Sequence, residues 1–540
     1  MMGSFVRPAA RILFTLAMAL PLAAEGRDSR AEYQRDFQKT IAVKSGQRLE
    51  VEHSQGSVRV TTHRLPELRI QAKVRVSSGD EAEAKKFGDA IEISVEEQPG
   101  AVAVRTRYPD KKWSFPGGGH VSFSVDYEIV VPEAMPLSVR NKFGDVTIEG
   151  LKAAAVVSNA NGRVALRDGR GFQKLDNAFG PVDVARNAGD VEIACSNGSV
   201  TAAEVDGPMT VRNRFGPVVL RKIRGPVRVT SSNGDVLVED ANGSGDVTAS
   251  FGRIDVRNLT GGLQVQNSNG TIGLSKISGE VTVRNSFGAV DLSDAGGAVR
   301  VENTNGTVRV RDVKGSATLK TSFGAIDASG IPGDATVETS NAGITLSGVD
   351  GAVDLRGTFG KIAVSRTGKG ARIVAENSPV TVSDIGGPAF VKTSFGMVEA
   401  ARVQGDLTVE NANGPVKASA IRGAATVRTS FGSVSLDGIG GKIEVDDQNG
   451  SIEIRGLAEQ GGKCFPVSLK SSFAAIRVVV PESVGYTVNA RTSFGKINTE
   501  LPLTVAGSPS SDVLTGRLGD GRCPLTLVNS NGNIELVKGK

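Results

Sequence analysis

The sequence predicts an all-β fold: a single-stranded parallel β-helix, or β-solenoid, with 18-residue coils built from two nine-residue G-x-V-x-V units. Three observations predict it. First, Phe-Gly begins at Phe143, Phe179, Phe215, Phe251, Phe287, Phe323, Phe359, Phe395 and Phe431, always 36 residues apart. Midway between them stand Asn161, Asn197, Asn233, Asn269, Asn305, Asn341, Asn377, Asn413 and Asn449, so Phe and Asn alternate every 18 residues. Second, counting in nines from Gly144 to Gly450 meets Gly at 31 of 35 positions, the exceptions being Ala153, Ala342, Lys369 and Ser378. Third, the residue four after each of these positions is apolar in all 35 units, and the residue two after is usually Val, Ile or Leu. Alternation with period two over so short a run is a strand with one buried face. The Gly supplies a positive φ or a corner too tight for a Cβ.

The corners come in two kinds. One ends in Phe or Asn, as in Arg284–Gly288 (RNSFG); the other places an aliphatic residue seven after the Gly, as at Ile223, Ile277 and Ile331. Two strands and two corners make one coil, and about seventeen coils at ~4.8 Å per rung make a stack about 80 Å long. A 36-residue coil would have a perimeter near ~120 Å, a cross-section that Val and Ile alone do not fill. With 18 residues per coil, Phe recurs on every second rung, ~9.6 Å apart, beyond the ~4.5–7 Å at which rings touch. Both Phe and Asn keep the inward parity of the preceding strand, so they read as corner filling, with Asn bonding to the turn backbone.

Composition agrees. Among 540 residues there are 67 Gly without a Gly-X-Y triplet, which excludes collagen, and 39% apolar residues, which excludes general disorder. A short repeat makes length a poor guide to domain number, because solenoids grow by adding coils. The net charge of +5 balances 63 basic against 58 acidic residues, far from the dense basic surface of a nucleic-acid binder.

Along the chain, residues 1–24 read as a signal peptide. Arg7 and Arg11 precede the apolar run Ile12 to Ala24, and a charged segment follows. The alternative is an uncleaved anchor; no later segment is apolar for long enough to cross a membrane. Residues 25–36 read as a linker and 37–142 as an N-terminal coil and cap. Val51–Val60 matches Val301–Val310, which makes Gln55 the first Asn-type corner and Phe143 the first Phe-type corner. The excursion 64–136 replaces one turn and should cover the open first edge of the sheet. Within it, Ser78 to Ala90 reads as a short helix with an N-cap at Ser78 or Asp80, and Ile91–Val95, Ala101–Arg105 and Val121–Val131 read as strands. Residues 143–458 form the regular solenoid. In 459–540 the register loosens, and the corners at Phe473, Phe494 and Asn531 belong to irregular coils and a cap.

Chemistry-bearing residues are sparse. His53, His63 and His120 are too scattered for a metal site, and the Gly-rich nonapeptides lack the Asp column of calcium-binding repeats. No cofactor is expected. Asp183, Asp255, Asp291, Asp327 and Glu399 share one outward column, where Asp255, Asp291 and Asp327 recur on alternate rungs about 10 Å apart, near the upper limit for an inverting glycosidase pair. A solvated strand face of mixed charge has the same pattern. The loop from Tyr108 to His120 gathers Tyr108, Lys111, Lys112, Phe115 and the single tryptophan, Trp113. It is either a sugar-stacking or anionic-glycan contact, or packing of the cap on the first coil. Cys464 and Cys523 either form a disulfide in an oxidising compartment or remain thiols. Cys195 takes the place Asn fills at Asn177 and Asn213, as an inert core residue.

The Ser-Asn-Gly and Thr-Ser-Phe-Gly corners, the run Val125 to Pro132, and the ending Thr492–Ile497 followed by Asn529–Leu536 together resemble a bacterial family of "putative adhesin" β-solenoid domains, of unknown function and found in exported proteins. The resemblance covers nearly all of the chain after the signal segment and implies a right-handed β-helix with no catalytic residues to carry over. The expected function is an exported, non-enzymatic, adhesin-like surface or periplasmic scaffold or binding module. Its partners would be a cell-surface glycan or an envelope protein, not nucleic acid, and its expected location is the periplasm, cell surface or medium. The mature chain is expected to have no transmembrane segment and to be a monomer. The alternatives are a polysaccharide lyase or hydrolase, and a self-assembling envelope filament, which the capped ends disfavour.

Overall fold

Each strand of the repeat pairs in parallel with the strand 18 residues further on. Val281–Phe287 lies between Leu263–Asn269 and Val299–Asn305, with Phe287 opposite Asn305. That register rules out a 36-residue coil. A computed structural model describes residues 31–109, 121–457, 464–506 and 510–539. It is a β-solenoid of about 18 turns with parallel stacking, 68% strand and 2% helix. Strands that end in Phe or Asn stack into one sheet, here the front sheet. Strands that begin two residues after the following Gly, such as Val290–Ala295, stack into the back sheet.

The core is the expected alternation. Val281, Val283, Val290 and Leu292 are buried, and the residues between them face outward. Glycine marks where coils approach most closely. At Gly288 φ is 115°, and a Cβ would lie 2.2 Å from the carbonyl oxygen of Gly270 one rung away. The back sheet holds a feature that strict alternation misses. In Val218–Ile223 the inward residues are Val218, Leu220 and Ile223, out of step by one. Lys222, at φ 54°, sits in the left-handed region and inserts the extra residue that turns Ile223 inward. Thirteen non-glycine residues, from Asp168 to Ala420, share this conformation. Each is strained by about 1–2 kcal/mol relative to a right-handed residue.

Both ends are closed by antiparallel strands. At the N-terminus the elements are β1 (Ala31–Ala42), β2 (Arg48–Glu52), β3 (Val58–His63), β4 (Glu67–Ser78), α1 (Glu81–Ala90), β5 (Glu92–Gln98), β6 (Ala101–Arg107) and β7 (Ser122–Pro132). The helix begins at the Asp80 cap, whose Oδ1 accepts from the amides of Ala82 and Glu83 at 2.7 and 3.1 Å. The strand β3 lies between the first regular coil and β7, and β4 and β1 continue that sheet antiparallel. In the front sheet β2 lies between Leu137–Phe143 and β6, and β5 closes the edge. The expected linker at 25–36 is corrected at its second half, because β1 starts at Ala31 and pairs with β4 along its whole length. Its sequence AEYQRDFQKTIA is polar on one face because it is an edge strand, so it does not read as a core strand.

The C-terminus repeats this plan in reverse. The last coil, Cys523–Asn529 and Ile534–Gly539, does not sit at the end of the stack. It is inserted between the coil of Val467–Ser471 and Ile476–Pro481 and that of Tyr486–Thr492 and Ile497–Thr499. Val513–Leu518 then closes the outer edge antiparallel to Tyr486–Thr492. Cys464 and Cys523 are joined by a disulfide, with Cα atoms 5.8 Å apart, at the point where the last coil enters its slot. The first and last coils are thus each held inside the stack by a later or earlier excursion, while β1 itself forms the outer edge at the N-terminal end. Among the described residues no helix is long and apolar enough to cross a membrane.

Candidate functional site

Corner phenylalanines form the most unusual surface of the molecule. The inward parity expected for them is not observed. In Val281–Phe287 the buried residues are Val281, Val283 and Asn285, whereas Phe287 is 54% exposed. The chain bends sharply at Gly288 so that its backbone can pass beneath the Gly270 carbonyl, and a side chain at the apex of that bend lies outside it. Asn285, two residues earlier, takes the inner corner. Its Nδ2 donates to the carbonyls of Gly270 and Gly288 at 3.3 and 3.2 Å, tying adjacent coils together. Asn177 does the same to Gly162 and Gly180, both at 2.9 Å. Cys195 stands in this column, buried, with burial pushing its thiol pKa up. The expected role of Asn in bonding the turn backbone thus belongs chiefly to this inner column. The outer Asn contributes too: Nδ2 of Asn449 reaches the Ser430 carbonyl at 3.1 Å.

The phenylalanines therefore make a line of exposed rings. Phe143, Phe179, Phe215, Phe251, Phe287, Phe323, Phe359, Phe395 and Phe431 are 44–56% exposed, and the line continues through Phe473 and Phe494 at 63% and 84%. Eleven of the 20 phenylalanines lie in it. The last two extend it because of the inserted coil. Ser471 and Thr492 both align with Asn529, so Asn531 falls between Phe473 and Phe494. The spatial order Asn449, Phe473, Asn531, Phe494 keeps the alternation that the sequence order breaks. At the other end Gln55 bridges to Phe143, as expected for the first Asn-type corner.

Beside this edge the front sheet carries a shallow groove of about 610 Å³. Ser268, Ser286, Thr304 and Ser322 line one side of it, and a charged column lines the other. The charges pair with one another, Arg284 and Arg300 both with Glu302 and Lys320 with Glu338 at 3.1 Å, which leaves a net excess of one positive charge along the groove.

The remaining candidates are placed as follows. Tyr108 packs into the cap. Its hydroxyl donates to the Gln55 carbonyl at 3.1 Å, its ring lies 5.2 Å from Phe123, and burial raises its pKa. Lys111, Lys112, Trp113 and Phe115 lie outside the described residues. His53 is buried against Tyr127, with Nδ1 3.1 Å from Thr106 Oγ1, and burial lowers its pKa to about 4. His63 Nε2 lies 2.6 Å from the Glu67 carbonyl, and no group of three metal-capable side chains occurs among the described residues.

On the back sheet Asp255, Gly273, Asp291, Arg309 and Asp327 follow one another rung by rung. The carboxylates of Asp183, Asp255, Asp291 and Asp327 are held by Arg163, Arg253, Arg309 and Arg311 at 2.7, 2.7, 3.2 and 3.7 Å. Glu399 lies four rungs beyond Asp327 in the same column. The four aspartates stand in a line of ion pairs on an open strand face, with a notch of about 270 Å³ over Gly273.

No protein-family model matches the chain, and no curated protein matches it. Among solved structures it is similar to a "putative cell adhesion protein" from Clostridium sporogenes ATCC 15579, at 11% identity and a TM-score of 0.21, over 39% of this chain and 100% of that one. It is also similar to a "putative adhesin" from Bacteroides fragilis NCTC 9343, at 16% identity and a TM-score of 0.17, over 46% of this chain and 97% of that one. Likenesses of this size assign neither a family nor a function.

Proposed function

We propose that the chain is an exported, non-enzymatic, adhesin-like binding scaffold of the cell surface or periplasm, and that its contact surface is the phenylalanine edge. The observation that carries this is the line of eleven exposed rings. Soluble monomers seldom expose apolar patches beyond a few hundred Å². If each half-open ring offers on the order of 100 Å², the line offers on the order of 1,000 Å², enough for one side of a specific interface. Export is supported by Arg7 and Arg11 ahead of the apolar run Ile12 to Ala24. The mutual pairing of the surface charges supports a binding role over a catalytic one.

The test is attachment. Cells lacking the protein, and cells carrying Phe251→Ser, Phe287→Ser, Phe323→Ser and Phe359→Ser together, are compared with wild type on abiotic surfaces, on glycan-coated surfaces and on each other. Attachment should fall to the level of the deletion in the variant. Attachment equal to wild type in both strains would remove the proposal.

A further inference from the structure

The pitch of the phenylalanine edge restricts what can fit it. Rings recur every second rung, ~9.6 Å apart, with Asn or a similar residue between. That gap is too wide for neighbouring rings to touch and wide enough to admit one further ring. A ring entering it would lie ~4.8 Å from the ring on either side, within the range of favourable aromatic contact.

We propose that the edge pairs with the same edge of a second copy of this chain, the two solenoids antiparallel and displaced by one rung, so that ten of the eleven phenylalanines enter the ten gaps between the partner's rings. This inference rests on the reading of the edge as the contact surface and names its partner. Three observations carry it. The first is registry. A second copy has the same pitch, because the β-ladder spacing sets both. A polymer whose repeat differed by ~0.5 Å would be out of step by ~5 Å after ten intervals, half a gap. Only a matching ladder engages the rings along the whole edge at once.

The second is the chemistry of the flanks. From Ser268 to Gln448 the column preceding the edge residues is Ser, Thr, Ala or Gln, except at Glu376. From Thr271 to Ser451 the column following the glycines is Thr, Ala, Gly, Pro, Met or Ser, except at Lys361. Over these rungs the edge runs between two nearly uncharged strips, whereas the earlier rungs carry Lys142, Asp145, Arg163, Arg214, Asp235 and Arg253 and the last carries Lys496; depletion of charge is what distinguishes the centre of a protein interface. In the two strips between Ser268 and Ser451, Lys361 is the single protective lysine of the kind that keeps exposed β surfaces apart.

The third is symmetry. Counting rungs from Phe143 to Phe494, phenylalanine occupies every odd rung, and Phe323 is the eleventh of 21. An antiparallel pair displaced by one rung places its two-fold axis beside Phe323, and every pairing of Phe with gap is repeated by the axis. The contact is isologous and closes on itself. A parallel two-fold pair would set ring against ring. The expectation of a monomer rested on the capped ends, and side-by-side pairing leaves those ends free.

Sedimentation of the purified protein over a concentration series tests the proposal, beside the variant Phe287→Ser/Phe323→Ser/Phe359→Ser with circular dichroism as the folding control. The wild type should be a dimer insensitive to added salt, and the variant should dissociate about a hundredfold more readily with an unchanged spectrum. Small-angle scattering of the wild type should show one solenoid length and a doubled cross-section. A wild type that stays monomeric at its highest soluble concentration, a variant that dimerises as well as wild type, or a doubled length overturns the pairing. A monomeric wild type whose serine variant still loses attachment overturns the pairing and leaves the proposed function standing. If attachment is also unchanged, both fall.

Discussion

Asn285 and Phe287 are two residues apart and have opposite fates, which shows how a corner separates structural from functional side chains. Asn285 is 5% exposed and satisfies the carbonyls of two coils, while Phe287 is left outside. The second corner makes its own residue-level demand, a left-handed conformation that glycine meets without strain. Lys276 holds it at φ 55°, and Gly348 at φ 63° with no atom nearer than 3.6 Å to a built Cβ. Lys276→Gly should therefore raise stability by about 0.5–1 kcal/mol and Gly348→Val should lower it by about 1–2 kcal/mol, read from urea melts. Equal signs for the two changes would refute this account of the column.

His53 makes the N-terminal cap sensitive to acid. Its pKa falls from 6.5 to about 4 through burial beside Tyr108 and Tyr127, and the nearby Asp126 carboxylate only partly opposes this. The unfolded chain therefore takes up a proton below pH 6.5 that the folded cap refuses. Stability is full above pH 6.5 and declines as pH falls towards 4, by about 3 kcal/mol. Asp168 and Asp384 are held below the usual carboxylate value by Arg186 and Arg402, so their contribution is lost only at lower pH. Between pH 7 and 4.5, hydrogen-exchange protection factors in β2 and β3, corrected for the intrinsic rate at each pH, should fall in the wild type and stay nearly flat in His53→Gln. A wild type whose protection factors do not fall would count against a neutral, buried imidazole.

At the scale of elements, the end coils depend on contacts that are distant in sequence. The disulfide between Cys464 and Cys523 closes a separation of 59 residues where the last coil enters its slot. Reduction, or Cys464→Ser, should cost about 2–4 kcal/mol of local stability. Hydrogen exchange should show lost protection in 523–539 while 143–457 is unchanged, since a solenoid transmits little beyond nearest neighbours. Loss of protection along the whole stack would show a more cooperative molecule than this. The cap helix and the strands at β5, β6 and β7 were legible in the sequence, because a capping Asp and period-two apolar runs are local signals. The strands β1 and β4 were not identified, since their hydrogen bonds lie entirely with partners far along the chain.

For the whole molecule, the repeat predicts which deletions it tolerates. Removing 289–324 takes out two coils and leaves every Phe facing an Asn gap; removing 289–306 takes out one and sets Phe287 beside Phe323. Both should fold, by circular dichroism. The shorter deletion should impair self-association and attachment more, although it removes less of the edge, because it shifts half of the line out of phase. A stronger defect from the longer deletion would mean that ring number matters and phase does not.

The nine-residue recurrence of Gly and the alternation of Val and Ile determined the coil length, the buried strand faces and the position of every corner from Gly144 to Gly450, because tight turns and one-sided burial are dictated within a few residues. The direction of the rings was decided only by the tertiary structure. Parity holds along a straight strand, but at a corner the side chain follows the bend of a backbone passing under its neighbour's carbonyl. The insertion of the last coil between two earlier ones was likewise a tertiary decision, since parallel pairing is equally available on any open rung and the sequence of a strand does not say which rung it will take. Together these two decisions turn eleven phenylalanines that read as filling into one continuous exposed edge.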